Sequence, residues 1–172
     1  DSISFDGIET AAGNFEAADA AQINLAWSAV GQYNDQINPA SFLTFVGAIA
    51  NDGKKTTPSL VGNISVGNTV TYESEAQTED RIMSAATAKL LQDYMCNNVS
   101  SKYGSDNFPG LTVGAKTGTA EVEGQRPNAM LTGFCSDSKY PLAFIVCVED
   151  MCAVLVHVYT LALIGVYIAC NM

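Results

Sequence analysis

The strongest constraint on this chain lies between residues 111 and 148. Leu142–Val148 is apolar at every position, the pattern of a strand buried on both faces. Ala129–Cys135 is a second candidate strand, and Leu111–Val122 is a third. Ser136–Pro141 is a polar turn between the last two. Consecutive strands joined by short turns pair antiparallel, because parallel neighbours need a long crossover. Whatever precedes this block must pack against such a sheet.

What precedes it is mainly helical. Ala17 to Val30 is Ala-rich, with Ile23, Ala26, Trp27 and Val30 at helical spacing, and Gly31-Gln32 ends it. A second helix has Asn38 as its cap, Pro39 in its first turn and Gly53 to close it. Phe42, Leu43, Phe45, Val46 and Ile49 give it a wide apolar face. A third runs from a Ser84 cap to about Asn98, with Thr87, Leu90, Leu91, Tyr94 and Met95 toward the core. Residues 1–16 show no period and read as loop. Residues 54–80 are rich in Gly, Thr and Ser, with short strand-like pieces such as Thr69–Tyr72. Helices followed by antiparallel strands make the fold class α+β.

Charge divides the chain. The net charge is −10 over 172 residues, which argues against nucleic-acid binding, since phosphate neutralisation needs clustered Lys and Arg. The chain is 48% hydrophobic and 15% charged, which excludes a wholly disordered polymer. The last charge is Asp150, and residues 151–170 are apolar except His157, Thr160 and Gly165. Residues 1–150 therefore read as a domain portion, and 151–172 as an atypical uncharged hydrophobic tail. A membrane anchor, a buried helix or strand, and residues foreign to the original fold all remain open for that tail. It is long enough to span a bilayer, yet no Lys or Arg flanks it. The N-terminus has no basic segment before an apolar run, so any export signal lies outside these residues. Cys96, Cys135, Cys147, Cys152 and Cys170 are odd in number and lack a C-x-x-C spacing, which reads as free thiols.

One segment carries chemistry: Gly114-Ala115-Lys116-Thr117-Gly118-Thr119-Ala120-Glu121. On a strand, alternation puts Lys116 and Gly118 on one face and Thr117 and Thr119 on the other. The lysine and hydroxyls suit a carboxylate. Gly118 lets a ligand approach the backbone, and an N–H beyond it suits an oxyanion. A chance Lys-[Ser/Thr]-Gly triplet arises about 0.07 times in a chain of this composition. Alone, the triplet also fits an ordinary edge strand with an exposed lysine. His157, the single histidine, has no local partner for a triad or a metal site. Glu121 and Glu123 share a strand face and read as a solvated strand end.

Further stretches keep company with that segment. They are Ala26-Trp27-Ser28-Ala29-Val30-Gly31-Gln32, Asn38-Pro39-Ala40-Ser41-Phe42, Ala48-Ile49-Ala50-Asn51-Asp52-Gly53-Lys54 followed by Pro58, and Thr132-Gly133-Phe134. In this order, over roughly residues 20–150, the chain resembles the C-terminal half of a penicillin-binding protein transpeptidase domain of the class B type. The resemblance implies a partial transpeptidase, serine β-lactamase-like fold. It also implies a D,D-transpeptidase that cross-links peptidoglycan by serine acyl transfer and binds β-lactams outside the cytoplasm, without a cofactor or metal. Of the family's three motifs, S-x-x-K, S-x-N and K-T-G, only the third stands here in order. Lys116 would support proton traffic and a positive field. Thr117 and Thr119 would bind the substrate carboxylate beside Gly118, and the Thr119 N–H would supply an oxyanion donor. Ala115 stands where glycine is common.

Two lookalikes fall out of order. Ser136-Asp137-Ser138-Lys139 follows the K-T-G segment and sits in a turn. Ser105-Asp106-Asn107 lies in a loop just before it. Without the nucleophile segment the chain is expected to be inactive alone, with the missing N-terminal half as its partner. A non-catalytic module of the same fold, or a β-lactamase or β-lactam-sensor fragment, are the alternatives. The resemblance also leaves Leu142–Val148 without a first-half neighbour. That apolar edge would favour self-association or capture of the tail as a cover. For the tail, the family's usual Gly-containing turn and amphipathic helix are absent, which favours a shifted reading frame.

Overall fold

The computed structural model describes residues 2–15, 21–59, 61–75, 78–121, 124–148 and, for the backbone alone, 168–171. Its centre is the antiparallel meander expected between residues 111 and 148. β7 (Val113–Ala120), β8 (Asn128–Cys135) and β9 (Leu142–Val148) pair in sequence, with Thr117 opposite Leu131 and Leu131 opposite Val146. β10 (Ile168–Asn171) lies antiparallel on the far side of β9, giving the order β10-β9-β8-β7. A short tail strand thus takes the β9 edge. The remainder of 149–167, with Cys152 and His157, lies outside the described residues, as does Glu123.

Two helices clad the sheet. α2 (Pro39–Ala50) starts where Asn38 accepts the Ser41 amide at 3.0 Å, with proline in the first turn. The Gly53 amide closes it on the Ala48 carbonyl. Leu43 and Val46 pack on Ala143 and Ile145, all buried. Burying each such large side chain contributes about 1.5–3 kcal/mol before entropy is counted. α3 (Ala85–Asn98) is capped by the Ser84 hydroxyl, which accepts the Thr87 amide. Its Met95 meets Ile49 and Phe134. On the opposite sheet face, Val113, Ala115, Leu131 and Cys135 surround Val99. Val99 opens a π-helical turn, Val99–Tyr103, that continues α3.

Gly114 permits the sheet to close under its aromatic cover. A Cβ there would lie 2.4 Å from the Phe134 ring, so any side chain would displace the ring. Phe134 itself is 2% exposed.

The structure corrects four expectations. Residues 1–16 are not all loop: β1 (Ser4–Phe5) and β2 (Ile8–Glu9) form a small hairpin. Asp6 and Gly7 both have positive φ, 49° and 77°, the Asp-Gly turn that hairpins favour. α1 spans Gln22–Ser28 and stops short of the expected Val30, and Ile23, Trp27 and Val30 are exposed; Ala17–Ala20 of the expected helix lie outside the described residues. Leu90 and Tyr94 of α3 are exposed too. Thr87 is exposed as well, so that helix buries only Ala88 and Met95, with Leu91 half-buried beside them, against β7 and α2. β7 begins at Val113 and ends at Ala120, inside the expected 111–122. Between the helices, β3 (Lys54–Thr56) pairs with β6 (Thr78–Arg81), and β4 (Asn63–Val66) with β5 (Thr69–Glu73). Among the described residues Cys96 and Cys135 are free thiols, and Cys147 forms no disulfide.

Candidate active site

Lys116, Thr117, Gly118 and Thr119 all lie on β7, which has β8 as its sheet neighbour. The ladder fixes where their backbone groups point. The Ser136 amide donates to the Thr112 carbonyl, so even-numbered residues of this strand bond to β8. The odd ones, Val113, Ala115, Thr117 and Thr119, turn their amides and carbonyls to the open edge. Side chains alternate as expected. Lys116 and Gly118 stand beside Thr132 and Met130, on the face that α2 covers further along. Thr117 and Thr119 stand on the other face. Lys116, Gly118 and Thr119 are exposed and Thr117 is half-buried.

Three side chains from separate segments meet the open edge. Asn98, at the end of α3, donates from Nδ2 to the Ala115 carbonyl at 3.2 Å. Tyr103 accepts the Thr117 amide at 3.0 Å, and its hydroxyl lies 3.2 Å from Thr117 Oγ1. Gln32 donates from Nε2 to the Thr119 carbonyl at 2.9 Å. The Lys116 ammonium donates to the Thr117 carbonyl. Among the described residues no hydrogen bond forms to the Thr119 amide. Val113 and Ala115 are buried, whereas Thr119 is exposed, so its amide is an accessible donor flanked by an ammonium and two hydroxyls.

Local sequence explains how these residues arrive. Tyr103 ends the π turn at Gly104, whose φ is +85°. Its carbonyl is held by Asn107 Nδ2 at 2.6 Å. The Ser105–Asn107 lookalike is thus a 3-10 turn that braces Tyr103. The Ser136–Lys139 lookalike is a turn between β8 and β9, where the Lys139 amide donates to Asp137 at 2.8 Å. Its ammonium sits 5.2 Å over the Tyr140 ring, not beside a serine at a helix start.

Asn98, Tyr103 and Gln32 are absent from the sequence-based site. The Gly31-Gln32 pair was visible as a helix stop, but nothing in its spacing shows that it reaches a strand 87 residues away. Among the described residues no group of three or more His, Cys, Asp or Glu converges to hold a metal. No helix among them is long and apolar enough to cross a membrane.

The fold that carries this edge is found in known proteins. A family model described as the penicillin binding protein transpeptidase domain matches residues 2–152. Penicillin-binding protein A from M. tuberculosis, solved as an imipenem acyl-enzyme complex, is similar at 25% identity and a TM-score of 0.65. That match covers 73% of this chain and 29% of the solved one. A putative peptidoglycan glycosyltransferase from Atopobium parvulum is 25% identical, with a TM-score of 0.63, over 81% of this chain and 34% of its own. Penicillin-binding protein 2B from Streptococcus pneumoniae strain 5204 shares the fold at 17% identity and a TM-score of 0.65, over 88% of this chain and 26% of its own. Among curated proteins, none matches. This chain spans about a third of the solved proteins it resembles, or less, and the family match ends where the hydrophobic tail begins. The strand order, the Lys-Thr-Gly edge and the family match together show that this chain belongs to the penicillin-binding protein transpeptidase family.

Proposed function

We propose that this chain supplies the substrate-docking half of a D,D-transpeptidase site that acts on peptidoglycan stem peptides and is acylated by β-lactams. The observation that carries the proposal is the β7 edge, where the exposed Thr119 N–H, unbonded among the described residues, lies beside Lys116, Thr117 and Thr119. The substrate backbone meets this edge at the Thr119 N–H, since the Thr117 amide and the Thr117 and Thr119 carbonyls already have partners. Lys116 brings positive charge, and the Thr117 and Thr119 hydroxyls hold the terminal carboxylate. The nucleophilic serine and its lysine come from residues outside this chain.

The reaction then balances as follows. The serine Oγ loses its proton to a base and bonds to the penultimate D-Ala carbonyl carbon. The oxyanion formed is held by Thr119 N–H and a second donor from the nucleophile's segment. The carbon–nitrogen bond breaks, and the departing D-Ala amine takes the proton. An acceptor amine of a second stem peptide then bonds to the acyl carbon, the ester carbon–oxygen bond breaks, and the amine's proton passes through the base to the serine Oγ. With a β-lactam the ring amide opens and the acyl-enzyme persists. No metal or cofactor enters. The reaction belongs outside the cytoplasm, where peptidoglycan is cross-linked. Residues 1–150 form the functional portion, and 151–172 are an appended tail.

Two measurements test this. The coding sequence upstream should contain Ser-x-x-Lys and then Ser-x-Asn. If it contains neither, a non-catalytic module of the same fold replaces the enzyme reading. Expressed with that segment, the protein should label with fluorescent penicillin, and Lys116→Ala should abolish the label. Undiminished labelling of that variant would contradict the role given to β7.

A further inference from the structure

We propose that Gln32 is a positioning residue that aligns the oxyanion donor at Thr119. The inference rests on the acyl-transfer reading above. It goes beyond the Lys-Thr-Gly motif, because Gln32 touches none of the reacting atoms.

Its placement is built, not incidental. α1 ends in paired bonds: the Gly31 amide returns to the Ser28 carbonyl at 2.9 Å, and the Gln32 amide to the Trp27 carbonyl at 3.0 Å. Gly31 takes φ +77°, the left-handed conformation that this helix ending requires. The loop is tied again where buried Ser28 donates to Asp35 Oδ1 at 3.1 Å. A second tie joins Asn14 and Gln36, whose backbones exchange bonds of 2.8 and 2.9 Å. From this braced turn the half-buried Gln32 reaches across to Thr119.

The contact acts on the donor through the backbone. Thr119 sits between two peptide planes. The plane before it carries the free N–H, and its Gly118 carbonyl is engaged by β8. The plane after it carries the Ala120 N–H, which faces β8, and on the open side the carbonyl that Gln32 holds. With both planes fixed, the Thr119 dihedrals have little freedom, and its N–H keeps one direction. Preorganised donors stabilise developing charge far better than donors that must reorient. Gln32 is also the last side-chain brace on the open edge before β7 ends at the Ala120–Asn128 pair.

Two readouts test the proposal, using Gln32→Glu, which keeps the shape but cannot donate, and Gln32→Ala. The first uses this chain alone. Both variants should shift the Thr119 and Ala120 amide resonances and speed hydrogen exchange there, with Val113–Ala115 unchanged. Unaltered resonances at Thr119 would overturn the contact. The second uses the protein with its upstream nucleophile segment and a penicillin. The acylation rate constant should fall by roughly 10-fold or more, as expected when a donor is misplaced. The non-covalent binding constant and melting temperature should stay close to wild type. A parallel loss of binding, rate and melting temperature would mean an ordinary structural role and would overturn the proposal, as would an unchanged rate. If the wild type itself is not acylated, the acyl-transfer reading fails first. Gln32 then has no donor to position, whatever the resonances show.

Discussion

The two flanks of the sheet solve the same problem differently. At β9 the unpaired backbone is met by another backbone, β10, over four residue pairs. At β7 it is met by discrete side chains, Asn98, Tyr103 and Gln32, which take individual groups and leave the Thr119 amide free. A strand covers every backbone group it pairs with, here Leu142–Ile145. Side chains cover an edge selectively, and so protect it from aggregation while the Thr119 amide stays available. The docking role proposed for β7 falls on the edge that is covered selectively.

The sharpest way to break this contrast is to remove the free donor itself. Thr119→Pro deletes an N–H that makes no ladder bond, so an edge strand tolerates it. Acylation of the protein with its nucleophile segment should fall by about 100-fold or more. Circular dichroism should be near wild type. Retained acylation would show that the Thr119 amide is not the donor.

At the other edge, truncation after residue 150 removes β10 and exposes the backbone of β9. Sedimentation should then show concentration-dependent association that the intact chain lacks. A monodisperse, monomeric truncated chain would erase the difference between the edges.

Tyr103→Phe tests a single brace. It strands the Thr117 amide and frees the Thr117 hydroxyl, at a cost of about 1 kcal/mol in stability. Chemical denaturation measures it, and a change below about 0.3 kcal/mol would mean that water replaces the tyrosine without loss.

The smallest effect concerns Cys96, two residues from the Asn98 brace. Burial, its largest influence, pushes this thiol above its ordinary value. Nearby Lys89 lowers it, and Asp93 raises it. The folded state thus binds the thiol proton more tightly than the unfolded state. The associated stability is full below the unfolded pKa of ~8.5 and is lost as pH rises through the folded value. Alkylation of Cys96 near pH 8.5 should be slower than in urea-unfolded chain. Equal rates would indicate that α3 opens readily from β7.

What could be read from the sequence follows the same division. Leu142–Val148 and Asn38–Ala50 were legible because apolar runs and caps are local signals, and the structure keeps both. Lys116–Thr119 were legible as a strand segment with alternating faces. The braces were not. Gln32 and Thr119 are 87 residues apart, and an amide–carbonyl contact leaves no periodic trace. Tyr103 lay in a polar loop whose π turn has no sequence signature. Helical spacing in α1 and α3 over-counted the core. Spacing reports which side chains share a face, not whether a neighbour covers it. The Asp6-Gly7 turn was readable from its dipeptide, but its strands are only two residues each.

Intact-mass spectrometry after incubation with benzylpenicillin tests the central claim most directly. This chain alone should gain no covalent adduct. Expressed with its upstream segment, it should gain one, on a serine of that segment, with the β7 peptide unmodified. An adduct on any residue of this chain alone would contradict a β7 edge that docks substrate for a nucleophile supplied from elsewhere.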